Sequence, residues 1–452
     1  MQPVTKLSLF GCTLIVFCHY KQFTTLQIIP QNVTVKGAKQ YTMIQRKKKK
    51  FISKKWVVRI IIFVALLIVF MPNTTMAIAI DGSFSNNDAE QNLTRSLDDI
   101  LNQLDLSALE RFIRSFDENQ MTVFGQASAT EKIRMIVTGQ VSIDYGNFIT
   151  YILEVLGISL LRFLPLMLGI LAIAISINII HSLKGKFASD SVGNIVSFVG
   201  IALTAAIVAA QLMAIIVSAR SMINALQTQM NIVFPILLTL MAAAGGVSSA
   251  AVYQPAVAIL SGGLMSMLSA AILPMFIVSN IFTVVGNLSD GVKLKKMSTF
   301  FASSSKWLLG TAFFLFIAFL SVQGITASIY DGVSVRTARF AIARYVPIIG
   351  GYLSEGFNLI MAGSVLVKNA VGFTAVIVLF LSVIPTIATT ILFSLSLQLT
   401  AAIAEPLGEK RISNILSGVS KNMVILIAVL IGAAFLYFIF LILVIATGNP
   451  AL

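Results

Sequence analysis

Charge is scarce in this 452-residue chain: Asp, Glu, Lys and Arg make up 11% of it, less than half the roughly 25% of an ordinary soluble domain. Apolar residues make up 57%, and mean hydropathy is +0.92. Long apolar runs with so few charges belong to an integral membrane protein, which excludes a cytosolic enzyme, a disordered scaffold and a collagen-like chain. Cysteine is confined to Cys12 and Cys18, and histidine to His19 and His181. Beyond residue 79 there is no thiol and one imidazole, so a zinc, haem or iron–sulfur site built on Cys and His is excluded there, as is a disulfide framework. The sequence has no G-x-x-x-x-G-K-[ST] loop and no H-E-x-x-H run, which argues against ATP hydrolysis and zincin chemistry. Ser303 to Lys306 reads as a helix start rather than a nucleophile setting. No catalytic residue, metal site or cofactor is expected.

Acidic residues are missing from positions 1–79, which hold 12 of the 32 Lys and Arg. The net charge of +14 and pI of 9.8 are therefore properties of the N-terminus, and nucleic-acid binding is rejected as their explanation. From Met43 the chain reads Met-Ile-Gln-Arg followed by four lysines, then an apolar run from Val57 to Met71 broken by Arg59. Ala77-Ile-Ala79 has the A-x-A form of a signal-peptidase site, so 43–79 reads as a secretory signal peptide, with an uncleaved anchor as the other reading. Either way, the residues after 80 emerge on the outer side. Residues 1–42 read as an over-extended N-terminus, with translation starting at Met43, or as a cytoplasmic tail.

Residues 80–150 are acidic, with 11 of the 18 Asp and Glu against five bases. Leu97, Ile100, Leu101 and Leu104 repeat at helical spacing. Ser107-Ala-Leu-Glu110 and Ser128-Ala-Thr-Glu131 carry the capping-box pattern, and Gly139 supplies a stop. The segment predicts about three short amphipathic helices on or near the membrane surface, packed against the membrane part or a partner rather than forming a small domain. Asp98 with Asp99, and Asp117 with Glu118, are sequence neighbours on different helix faces and read as solvated surface.

Residues 151–452 predict an all-α polytopic membrane domain. Clear spans are 151–180, 193–218, 307–327, 371–397 and 423–447; the apolar stretch 231–286 is broken by Gly245-Gly246, Pro255, Gly262-Gly263 and Pro274. Placing Lys184, Lys186, Lys293, Lys295, Lys296, Lys306, Lys410, Arg411 and Lys421 inside by the positive-inside rule requires an odd number of crossings in 231–286. One span plus a re-entrant or broken helix is the simplest solution, giving six crossings; three crossings there would give eight. Residues 328–370, with Asp331, Arg336, Arg339, Pro347, Gly350 and Gly351, are too polar for a span and too apolar for a free loop. They predict a re-entrant hairpin or a surface amphipathic pair. The two Gly/Pro-interrupted regions read either as close helix packing through small residues or as a transporter's substrate site. Glu154 and Arg162 are the ionisable residues within the spans. They lie about 12 Å apart along a helix and do not pair. Arg162 sits at an interface or faces a partner.

The run Gln323-Gly-Ile-Thr-Ala, then Asp331-Gly-Val-Ser-Val-Arg336-Thr-Ala, then Val346-Pro-Ile-Ile-Gly350-Gly351 closely resembles the stage III sporulation protein AE family. The order of signal peptide, outer segment and polytopic half resembles that family too. The resemblance implies a multi-pass protein of a Gram-positive endospore former, made in the mother cell and acting in the membrane around the forespore. It implies the membrane core of a channel complex encoded by one operon, whose partners are a secretion-type ATPase and ring-forming membrane proteins. That complex serves forespore integrity and late gene expression, with energy supplied by another subunit. A homo-oligomer stands among the expected assemblies, and the bilayer is the other partner. The competing reading is a self-sufficient secondary transporter of a small solute.

Overall fold

A computed structural model describes residues 87–140, 145–182, 190–288, 294–345, 350–407 and 410–447. The signal-peptide region, with Ala77 and Ala79, and residues 1–42 lie outside the described residues. Those described form helices joined by short turns, with no strand among them. Four short helices come first: α1 (Asn87–Gln103), α2 (Ser107–Ile113), α3 (Glu118–Phe124) and α4 (Ala129–Val137). Long helices follow: α5 (Tyr145–Ser182), α6 (Asp190–Ala243), α7 (Val247–Ala258), α8 (Leu273–Leu288), α9 (Lys295–Tyr345), α10 (Gly350–Ala404) and α11 (Lys410–Ala446).

The short helices owe their ends to local chemistry. Ser128 caps α4, its side chain accepting from the Glu131 amide at 3.1 Å. Ser107 does not cap α2. The N-cap is Leu106, with no side-chain bond, and the Ser107 amide donates instead to Asp105 Oδ1 at 3.0 Å. The full capping box is at α3, where Asp117 accepts from the Gln120 amide at 2.8 Å and Gln120 Oε1 accepts from the Asp117 amide at 2.9 Å. Gly139, at φ 70°, closes α4, with the amides of Gly139 and Gln140 bonded to the carbonyls of Ile136 and Met135. This is the paired arrangement in which a left-handed residue ends a helix.

These four helices, one more than expected, do not form a separate domain. Leu97, Leu101, Leu109, Ile113, Phe124 and Ile133 are buried in one apolar core shared with the long helices. α1 and α4 pack on α10, α2 on α6 and α3 on α5. The Arg134–Asp98 ion pair that joins α4 to α1 is exposed, and exposed pairs contribute little. The shared core is what fixes α1–α4.

Six helical segments are long and apolar enough to cross a membrane: Gly146–Ser182, Gly193–Ala243, Val247–Leu288, Lys295–Gln323, Leu359–Ala404 and Lys410–Ala446. The protein is thus an all-α, multi-pass membrane protein. α11 is the axis, the most deeply buried of the six, with α10, α6, α8 and α9 packed around it.

The interrupted stretch 231–286 contains one span. Residues 231–243 complete α6, and Gly245, at φ 94°, closes that helix in the same way as Gly139 closes α4. Gly246 is the N-cap of α7. From Val247 the chain stays helical to Leu288, through two π-helical stretches, Ile259–Leu264 and Leu268–Ile272. Pro274 withholds the amide that would close a regular turn there. No re-entrant loop is found in this region. Likewise 328–345 continues α9, and α10 begins at Gly350, so the stretch 328–370 is the end of one long helix and the start of another. α6, α9 and α10, of 54, 51 and 55 residues, are each roughly 80 Å long at about 1.5 Å per residue. That is more than twice the ~30 Å of hydrocarbon in a bilayer.

Glycine permits the closest approaches in the bundle. At Gly432 a Cβ would overlap the Phe313 ring, at Gly372 it would overlap Ile445, and at Gly200 it would meet Ile177. At Gly262, Gly263 and Gly310, by contrast, a Cβ would meet nothing within 4 Å. Gly432→Val is therefore expected to cost about 1–3 kcal/mol through overpacking. Gly262→Ala should leave the thermal midpoint in detergent unchanged or slightly raised. Circular-dichroism melts of the two variants decide it; equal losses would contradict the packing described.

Candidate functional site: polar contacts that lock the bundle

Inside an apolar bundle a backbone carbonyl without a partner is costly. Pro385, within α10, creates one: having no N–H, it leaves the carbonyl of Leu381 without its normal helical donor. Two side chains from elsewhere supply the bond. Gln120 Nε2 donates to the Leu381 oxygen at 2.8 Å, and the Tyr151 hydroxyl donates at 3.4 Å. The same Gln120 side chain closes the capping box of α3 through its oxygen. One amide thus stops a short N-terminal helix and ties it to the proline break of a membrane helix.

A second lock lies nearer the start of α10. Lys368 is fully buried, and its Nζ donates at 2.6 Å to the carbonyl of Thr447, just past the end of α11. A cation suits the negative end of a helix. Thr447 Oγ1 in turn shares a 3.1 Å hydrogen bond with the Tyr253 hydroxyl of α7, so α7, α10 and α11 meet here. Sequence reading missed Lys368 because its neighbours place it in the polar stretch 328–370. Its signal was a lone lysine close to the apolar run that begins near residue 371.

A polar seam joins α8, α9 and α11. Ser279 donates to the Ser298 carbonyl at 3.0 Å, and Asn422 Nδ2 donates to Thr283 Oγ1 at 3.0 Å. Between α10 and α11, Ser420 Oγ donates to the Ser394 carbonyl at 2.8 Å. Gln229 of α6 donates to the Ala375 carbonyl at 2.9 Å; its Oε1 and the Tyr437 hydroxyl are buried without a hydrogen-bond partner among the described residues. These groups hold helices together. Among the described residues, no three His, Cys, Asp or Glu side chains gather as a metal site would require.

The residues singled out from sequence do not converge. Arg162 and Glu154 are exposed on the outside of α5. Gly245 and Gly246 form the turn between α6 and α7, and Gly262 and Gly263 lie in the first π-helical stretch with open space beside them. Asp331, Arg336 and Arg339 lie along α9, and Gly350 and Gly351 open α10. Pro347 falls outside the described residues.

The proline break permits a double-mutant test. Gln120→Leu is expected to destabilise by about 1–3 kcal/mol, since it leaves the Leu381 carbonyl with only the long Tyr151 bond and opens the capping box of α3. Pro385→Ala returns the missing amide, so in that background Gln120→Leu should cost clearly less. Detergent thermal melts of the four proteins measure the coupling; additive losses would show that the Leu381 carbonyl is not the shared partner.

Comparison with known proteins follows the same outline. Residues 127–448 match the family described as stage III sporulation protein AE. The stage III sporulation protein AE of Bacillus subtilis (strain 168) is 27% identical over 230 residues, covering 50% of this chain. The match spans 57% of that relative's length. No solved structure matches the chain. With a family match that runs from the end of α3 through all of the long helices, the chain belongs to the stage III sporulation protein AE family.

Proposed function

We propose that the protein is a membrane core component of a multi-protein sporulation complex, a channel linking mother cell and forespore that maintains forespore integrity and late gene expression. Family membership carries this reading, and the interlocked architecture supports it. α1–α4 share the core of the long helices and are pinned at Leu381, so their charged outer surface is a fixed platform suited to a protein partner. In this reading the platform faces the space between the two membranes, and residue 80 lies on that side. The partners are subunits of the same operon, among them a secretion-type ATPase and ring-forming membrane proteins. The ATPase supplies the energy, and catalysis is assigned to no residue of this chain. The protein resides in the mother-cell-derived membrane around the forespore.

Deletion of the gene in its spore-forming host, followed by fluorescence microscopy through engulfment, tests the role. Engulfment should complete while forespores shrink and late forespore genes stay silent; normal heat-resistant spores would overturn the proposal. The competing transporter reading predicts solute movement by the chain reconstituted alone, where the complex role expects none.

A further inference from the structure

Glu154 of α5 and Arg220 of α6 are exposed, and neither has an ion-pair or hydrogen-bond partner among the described residues. Helix contacts place them at one height. α5 runs parallel to α10, with Tyr151 beside Leu381 and Ser159 beside Thr389, so Glu154 is level with Ile384. α6 runs antiparallel to α10, with Gln229 beside Ala375, which brings Arg220 to the same level. The direct contacts between α5 and α6, Ile177 with Gly200 and His181 with Ser197, agree to within about one helical turn.

That height lies deep in the bundle. Ile384 is near the middle of the Leu359–Ala404 segment, and through the Phe380–Phe438 pair it is level with Ala434, inside the Lys410–Ala446 segment. On α9 the same height falls at Phe313, which packs against Gly432. α9 meets this depth as a lipid-facing helix should. Trp307, Phe314, Leu315, Ile317 and Val322 are exposed, and residues 307–323 contain no Asp, Glu, Lys or Arg.

α5 and α6 meet the same depth with polar side chains. Asn147, Thr150 and Glu154 form one exposed stripe on α5, and Arg220, Asn224, Thr228 and Asn231 form another on α6, each at three- and four-residue spacing. The last large apolar side chain exposed on α6 is Val217; from Ser218 to the end of that helix there is none. Arg162 lies about a quarter turn around α5 from its stripe and takes no part in it. The charged helices α2 and α3 pack on the same two long helices. Lipid does not tolerate unpaired charges at such depth, so it fits the α9 flank and not this one.

We propose that this flank binds a second copy of the chain, with Glu154 of one copy paired to Arg220 of its neighbour. Copies inserted the same way are related by an axis along the bilayer normal, and such an axis keeps every residue at its own depth. An acid and a base at one height on neighbouring helices are therefore self-complementary, whatever the order of the axis. In the antiparallel register that this pair sets between α5 and the α6 of the neighbour, Thr150 falls opposite Asn224, and Asn147 falls close to Thr228. Polar side chains then meet polar side chains along both stripes. The proposal rests on helix register and surface chemistry, and does not depend on the sporulation role.

Cross-linking in the full chain tests it. With Cys12→Ser and Cys18→Ser the chain has no other cysteine. Two differently tagged versions, one with Thr150→Cys and the other with Asn224→Cys, are co-expressed, reconstituted in phosphatidylethanolamine–phosphatidylglycerol liposomes and oxidised. A disulfide-linked species bearing both tags is expected, and none when both versions carry Phe314→Cys instead. Glu154→Arg in both versions should lower the yield several-fold, and adding Arg220→Glu should restore it. Glu154→Gln, close to glutamate in size, should lower the yield too and guards against misfolding of the charge reversal. No doubly tagged species, an equal yield at Phe314, or a yield indifferent to Glu154 would overturn the proposal. So would labelling of Asn224→Cys by a membrane-impermeant maleimide as fast as at Gln140→Cys, an exposed site of the outer segment, since water would then cover the flank.

Discussion

A carbonyl group buried among apolar helices has no water to turn to, and much of this architecture follows from how each such group is satisfied. In the regular parts of the long helices the ladder does the work. Where proline interrupts it, another element must supply the donor. At Leu381 the donors come from α3 and α5, so the break in one helix becomes the attachment point of another. A helix end poses the same problem, and at Thr447 it is solved by a buried lysine.

These two solutions give the molecule its unity. α1–α4 are too short to be stable alone, since helices of fewer than about 12 residues are marginal in water, and three of the four are shorter than that. Their apolar faces are completed by α5, α6 and α10, and the Gln120 bond adds direction to a contact that is otherwise only apolar. Nearer the start of α10, Lys368 and Tyr253 draw α7, α10 and α11 to one point. Elsewhere the bundle closes through Gly200, Gly372 and Gly432, where helices touch backbone to side chain without a Cβ between them. A membrane protein gains little from apolar burial against lipid, so close packing and interhelical hydrogen bonds such as these carry its cohesion.

For a member of a sporulation family, the result is a single body with two unlike surfaces. One is the apolar outer face of the long helices, with Leu164, Phe198 and Phe314 exposed; the other is a charged cap made of α1–α4.

Much of this was legible in the amino-acid sequence, and for clear reasons. Hydropathy and scarce charge establish an all-α membrane protein, with six or eight crossings expected and six helical segments long and apolar enough to cross, because a backbone in lipid must satisfy itself within a helix. The Gln-Gly-Ile-Thr-Ala and Val-Pro-Ile-Ile-Gly-Gly runs carry the family. Ser128 and Gly139 mark helix ends because caps act over three or four residues. The sequence could not say which apolar residues face lipid and which face protein, since Leu and Ile serve both. It therefore left open whether 231–286 and 328–370 re-enter the bilayer; in the fold 231–286 is helical on both sides of a turn at Gly245–Gly246, and 328–345 and 350–370 belong to two long helices. The Leu381–Gln120 bond joins residues 261 apart, and the burial of Lys368 depends on the end of α11 arriving beside it. Those are decisions of tertiary structure: a polar side chain's role is set by the backbone group that packing brings within reach, and local sequence carries no record of that partner.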